Sequence, residues 1–354
     1  MPDEKVRGSA LKSESLAELT SKVNKALGDN TLIRGSEIAR KTWPRCTTGS
    51  LAFDVMLGGG WPLNQWNEII GMESAGKTVL ALKTIAANME LNPEYECLWI
   101  ASEDFVPDWA MKLGVDLSRV HLAATNIMED AYQIAYEALD GQVCDAIVID
   151  SLPALLPGEE AEKAMEEFSM GLGARLTAKF MRKTHYAQKR SLALPERDCL
   201  ALLINQWRDK IGIAYGDPRT TPGGKAKNFS MFTRVEVARD TWLVLEDKEK
   251  TRVGLAIKTR TIKNKTAPAQ RTANVDFYFD DCLPFHAGDY DSIKQVFNLA
   301  VANDIIMVKG RTYTYLRPDG KVETLGSAKA NAQLALRESL ELQTWISQEV
   351  LALA

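Results

Sequence analysis

Lys77 and Thr78 follow the run Gly71-Met-Glu-Ser-Ala-Gly76, which sets a glycine, four residues, a glycine, a lysine and a hydroxyl residue in the order that cradles a polyphosphate. Gly71 and Gly76 let the backbone curl until the N–H groups of Glu73, Ser74 and Ala75 point into one concavity, to which a helix N-terminus adds partial positive charge. Lys77 would reach the outer phosphates as a point charge, and the Thr78 hydroxyl would hold a magnesium ion that bridges them. Asp150 ends an apolar run at residues 145–150. A strand-end carboxylate beside such a loop can hold the same ion through water, although a terminal Asp is also a common turn residue.

These groups need a strand, a loop and a helix to position them. Residues 66–71 (WNEIIG) give the strand, and Leu80, Leu82, Ile85, Ala86 and Met89 recur at helical spacing after the loop. Further on, strands are expected at 97–101, 120–123, 145–150 and 199–205, with helices at 107–113 and near 130–139. Such alternation predicts a parallel sheet covered on both faces, with ligands at the carboxyl ends of the strands. Upstream, Ser15 and Glu18 form a capping box, Leu16, Leu19, Val23 and Leu27 share one helical face, and Gly28 can end the turn. That stripe must pack either on its own core or on a neighbouring subunit.

The chain has 354 residues, 45% hydrophobic and 25% charged, which suits a globular protein with one large domain and room for a smaller one. It has no apolar run of membrane-spanning length and its first residues lack a secretion signal, so a cytoplasmic location with no membrane partner is expected. Five widely spaced cysteines and three scattered histidines suggest neither a disulfide framework nor a zinc site. A net charge of -4 excludes a generally basic surface, so any nucleic-acid site must come from local asymmetry. Residues 157–167 are acidic and read as a solvated, mobile segment. A basic helix follows, bearing Arg175, Lys179, Arg182 and Lys183, and is either a solvated face or a binding one.

Residues 213–229 read as a long glycine- and proline-bearing loop, longer than a simple connection requires. Around it lie Arg208, Lys210, Arg219, Lys225, Lys227 and Arg234, with Trp207, Tyr215 and Phe229 interleaved. Residues 250–271 add seven cations and no acid. Cations with interspersed aromatics suit a phosphodiester chain, and basic edge strands that discourage aggregation are the alternative. Past residue 285, a helix near 291–303, a hairpin turning at Pro318-Asp-Gly320 and an amphipathic helix from 331 to the end form a small α+β unit.

Several blocks together resemble the RecA family of recombinases, of bacterial or phage type: TTGSLAFDVMLGGG, NEIIGMESAGKT, KLGVD, AIVIDSLPALLP, MGLGAR, LINQWRDKIG, TTPGGKAKNF and TIKNK. The resemblance covers nearly the whole chain from about residue 35, and the distal hairpin followed by KANA is similar to the bacterial C-terminal domain. It implies an α/β fold: a phosphate-loop NTPase core with a mostly parallel sheet and helices on both faces, an N-terminal helix, and a small α+β C-terminal domain. The implied division is 1–34 for the oligomerisation segment, 35–284 for the ATPase core and 285–354 for the small domain.

The family roles carry over by position. Glu103 matches the glutamate that activates the attacking water, Trp109 the aromatic that stacks on adenine, and Gln206 the residue that senses the terminal phosphate. Lys263 and Lys265 match a pair that reaches a neighbour's nucleotide. ATP with Mg2+ is therefore the implied ligand, with Lys77, Glu103 and Gln206 as catalytic residues and Thr78 and Asp150 at the metal. For DNA the resemblance points to Met170, Gly171 and Arg175 with Arg182, and to a second loop with Ile211, Gly212, Tyr215, Gly223, Gly224 and Lys225. Arg239, Lys258 and Arg260 match a secondary site. Single-stranded DNA, homologous duplex DNA and further copies of the chain in a helical filament are the implied partners. The chain departs from the family in its extra cations after Gly224, in about six added residues near 191–196, and in ending at VLALA where the family has an acidic tail that restrains DNA binding. DNA-dependent ATP hydrolysis with strand exchange leads; an accessory paralogue without exchange and a ring helicase are the alternatives.

Overall fold

The structure, a computed structural model, describes residues 15–28, 31–37, 43–162, 171–188, 197–209 and 218–353. Eight strands share one sheet in the spatial order Thr272–Tyr278, Arg252–Asn264, Thr233–Val244, Trp66–Gly71, Leu200–Gln206, Ala146–Asp150, Cys97–Ala101, Val120–Ala124. The strands from Thr233–Val244 onward in that order are parallel, and the first two pair antiparallel. Side chains alternate across a strand, so a sheet covered on both faces needs apolar residues at every position. Val148, Leu200 and Leu202 accordingly pack with the helices Leu51–Leu57 and Lys77–Leu91, while Ile147, Ile149 and Leu203 pack with Met128–Gly141 and Leu172–Gln188.

Most expected elements form within a residue or two of their predicted bounds, the helix Pro107–Lys112 and the strand Val120–Ala124 among them. Three expectations need correction. Part of the acidic stretch is helical, Gly158–Glu162, because the Pro157 carbonyl accepts from the N–H groups of Glu160 and Ala161 at 2.9 and 3.0 Å. The long loop ends in a helix, Gly224–Ser230. The terminal helix is two helices, Lys329–Glu338 and Leu340–Ala352, broken at Ser339, whose extended backbone frees its hydroxyl to accept from the Leu342 N–H at 3.3 Å.

The N-terminal helix Leu16–Leu27 has its expected cap, with the Ser15 hydroxyl accepting from the Glu18 N–H at 3.2 Å. None of its residues is buried, and Leu16 and Leu27 are 79% and 64% exposed, so its stripe does not pack into this chain's own core. Among the described residues no helix is long and apolar enough to cross a membrane.

The C-terminal helices and the three-stranded sheet Ile306–Lys309, Thr312–Leu316, Val322–Gly326 enclose their own core of Phe297, Ile306, Tyr315, Leu336 and Ile346. The helix Ser292–Ala302 docks this unit on the rest. There the buried Gln295 Oε1 accepts from the Ser50 hydroxyl at 2.7 Å and from the Ala52 N–H at 3.2 Å. Gln295→Ala removes the acceptor of both donors, and chemical denaturation should report a loss of about 1–3 kcal/mol.

Candidate active site

A cleft of about 340 Å³ opens at the carboxyl ends of the central strands. The residues of the phosphate loop line one wall, and two glycines are obligatory in it. A Cβ on Gly71 would stand 2.3 Å from the Val237 carbonyl oxygen; Gly76 has φ +96°, with the Ile257 side chain 3.1 Å from where a Cβ would lie. The helix that follows, Lys77–Leu91, has neither a side-chain cap nor an acid in its first turn. Its leading N–H groups are thus left for an anion, and its dipole favours one.

Lys77 lies against the loop, and its ammonium donates to the Met72 carbonyl at 2.7 Å. The Thr78 hydroxyl donates to Asp150 Oδ2 at 3.1 Å. Glu103 lines the cleft beside them; its carboxylate accepts from the Ser151 hydroxyl, and its N–H donates to the Asp150 carbonyl at 3.1 Å. Burial, and then the neighbouring Glu103 charge, raise the Asp150 carboxyl from its ordinary 3.8 to about 6, against the opposing pull of Thr78 and Lys77. Burial likewise lowers Lys77, opposed by Glu103, Asp150 and Glu73. A buried carboxylate beside a hydroxyl, with a like charge nearby, is a donor set that fits a hard divalent cation.

The other end of the cleft is apolar. Trp109 stands edge-on to Phe277, with centroids 6.3 Å apart at 89°, and Leu255 and Phe279 complete the wall. The motifs pointed to Trp109 alone. The alternation of Phe277 and Phe279 about Tyr278 in residues 272–279 was the available signal, since it sends both rings to one face. Gln206 enters the cleft from the adjacent strand, and its N–H is held by Asn205 Oδ1 at 2.9 Å. Lys263 and Lys265 do not line it. Lys263 donates to the carbonyls of Asn228 and Phe229 at 3.0 and 2.9 Å, and Lys265 sits over the Phe232 ring. Burial, with the charges of Lys265 and Arg234, pushes the Lys263 ammonium down to about 8.

Of the residues expected at DNA, Met170, Ile211, Gly212 and Tyr215 lie outside those described, as do the added residues near 191–196. Gly171 has a left-handed φ of +73°, and its carbonyl accepts from the Arg175 N–H at 3.1 Å to start the helix Leu172–Gln188, on which Arg175 and Arg182 are exposed. Gly223 and Gly224, at φ +90° and +75°, begin the helix Gly224–Ser230, and a Cβ on Gly224 would lie 3.3 Å from Ala174 Cβ. The ends of the two candidate DNA loops therefore touch.

Lys225 is exposed, but Lys227 is completely buried and is no groove cation, which corrects the count of basic residues in this loop. Arg239 stacks 4.7 Å from the Trp242 ring centroid, and Lys258 is exposed on the next strand. Arg260 is committed at 2.6 Å to Glu236, which also accepts from Arg219 at 2.6 Å and from the Trp207 indole at 3.0 Å. No motif assigned a role to Glu236 or Glu68, because each acts through partners remote in sequence.

The raised Asp150 carboxyl makes a signed prediction. Its folded pKa exceeds the unfolded one, so the metal-free protein loses stability as pH rises from 3.8 through about 6. Thermal unfolding followed across this range in chelator should show that loss, and Asp150→Asn should remove this component of it.

Comparison with known proteins accords with the cleft. The family model for the RecA N-terminal domain matches residues 14–284. Proteins named Protein RecA from Frankia alni, Thermus thermophilus and Petrotoga mobilis are 34%, 33% and 32% identical, each over 96% of this chain and over 92%, 94% and 89% of their own lengths. A family match over most of the chain, with relatives aligned nearly end to end, shows that this chain belongs to the RecA family.

Proposed function

We propose that this chain is a cytoplasmic, DNA-dependent ATPase that assembles as a helical filament on single-stranded DNA and pairs that strand with homologous duplex DNA. One observation carries this reading: the phosphate loop and Gln206 share a cleft, and the strand bearing Gln206 leads into the candidate DNA loop. Lys77 and the N–H groups of residues 73–76 hold the phosphates of ATP. Thr78 and Asp150 hold Mg2+, which when bound would neutralise charge developing on the phosphates. Glu103 orients the attacking water and takes its proton, so its carboxylate must be ionised and within hydrogen-bond reach. Trp109 stacks on the base. The cleft thus positions a nucleotide and leaves the far side of the terminal phosphate to whatever Gln206 and a second subunit supply.

That second subunit is expected to bring Lys263 and Lys265. Burial and adjacent cations disfavour the charge on Lys263, and a neighbour's phosphate would relieve that cost. ATP then joins protomers, and hydrolysis loosens the joint. The exposed stripe of the N-terminal helix supplies a further contact between subunits. DNA is held along the two loops by backbone N–H groups near Gly171, Gly223 and Gly224 and by Arg175, Arg182 and Lys225, and Met170, Ile211, Gly212 and Tyr215, which lie outside the described residues, are expected to contribute to the same site. Arg239, Lys258 and Arg260 take a second strand; Arg260 must exchange its Glu236 partner for a phosphate to do so. Contacts to the backbone leave base pairing to test homology.

Hydrolysis measured with and without single-stranded DNA tests this function. Stimulation by DNA and abolition of turnover in Lys77→Ala are expected, whereas hydrolysis indifferent to DNA would contradict it. A salt titration of DNA affinity should have a log–log slope of about -0.7 for each phosphate neutralised, and a flat titration would rule out the electrostatic groove.

A further inference from the structure

Beneath the second loop lies a charged cluster sealed from water. Glu68 and Lys227 both have side-chain exposures of 0%, and they are directly paired. Arg234 donates to Glu68 Oε2 at 2.6 Å. Asn205 Nδ2 donates to Glu68 Oε1 at 2.7 Å, the same oxygen that Lys227 engages. Thr221 Oγ1 takes hydrogen bonds from Lys227 at 3.0 Å and Arg234 at 3.3 Å. Gly223 rests on the lysine stem, where a Cβ would come within 2.8 Å of Lys227 Cδ.

The chain positions of these residues give the cluster its meaning. Glu68 is on the strand that ends at Gly71, the first glycine of the phosphate loop. Asn205 directly precedes Gln206, and its Oδ1 holds the Gln206 N–H. Lys227 is on the helix that closes the second loop. Asn205 and Lys227 share one acceptor oxygen, so a shift at the Gln206 strand end alters the hydrogen bond that Glu68 offers to the loop helix. In a dry interior that exchange is costly, because a group left without its partner keeps its full desolvation penalty.

Resting on the function proposed above, we propose that Glu68 and Lys227 are positioning residues that carry the nucleotide state from Gln206 to the second DNA loop. Neither lines the nucleotide cleft, and both side chains are buried away from the surface. Loss of one partner strands a buried charge, so the test removes both charges of the sealed pair: Glu68→Gln with Lys227→Met, in which Arg234, 12% exposed, keeps the Gln oxygen and Thr221 as acceptors. The measurements are the KM for ATP, the basal rate, the DNA-stimulated rate, and single-stranded DNA affinity with and without a non-hydrolysable ATP analogue. KM and basal rate should stay near those of the unmodified protein, DNA stimulation should fall about tenfold, and the analogue should no longer tighten DNA binding. Should the double variant unfold, Asn205→Ala cuts the same link while leaving both ion pairs, and the same split is expected. A folded variant with undiminished DNA stimulation overturns the coupling. An unmodified protein without DNA stimulation overturns the function instead.

Discussion

Hydrogen-bond register between parallel strands is the constraint on which the rest depends. Gly71 pairs with Gln206 across one strand boundary, and Ala101 pairs with Asp150 across another. These registers bring the phosphate loop, the candidate sensor, the strand-end carboxylate and, two residues past Ala101, Glu103 to one rim of the sheet. A slip by one residue would turn each side chain to the opposite face and scatter the cleft. The two apolar cores oppose a one-residue slip, which would turn Val148 and Leu202 away from one helical layer and Ile149 and Leu203 away from the other.

Glu68 introduces a cost into that arrangement. A carboxylate with no exposure must be met by donors, and Lys227, Arg234 and Asn205 meet it from three elements. Burial still pushes the Lys227 ammonium down to about 8, although the Glu68 charge and hydrogen bond oppose the shift. Such a pair is weak evidence for stability and better suited to specifying geometry. Here the geometry specified is where the helix Gly224–Ser230 begins, and hence where the second loop returns to the core.

Much of the candidate site was legible because its chemistry is local. Eight contiguous residues, Gly71 to Thr78, set the phosphate loop, and Asp150 closes a short apolar run that reads as a strand among alternating elements. The rest was hidden for identifiable reasons. Lys227 looked like one cation among several in a loop, and its burial depends on an acid 159 positions earlier. Arg219 and Arg260 looked available until Glu236, on a neighbouring strand, claimed them. Phe277 and Phe279 become a wall only when the antiparallel edge strands fold beside Trp109. The break at Ser339 was masked by apolar residues that continue at helical spacing on both sides of it.

In the function proposed above, a second subunit's Lys263 and Lys265 complete the nucleotide cleft, which would make assembly and ATP binding one event. Electron micrographs of the full chain with a non-hydrolysable ATP analogue and single-stranded DNA test that linkage most directly. Helical filaments that form with the analogue and are absent without it are the predicted result. Closed rings, or dispersed monomers under both conditions, would contradict it.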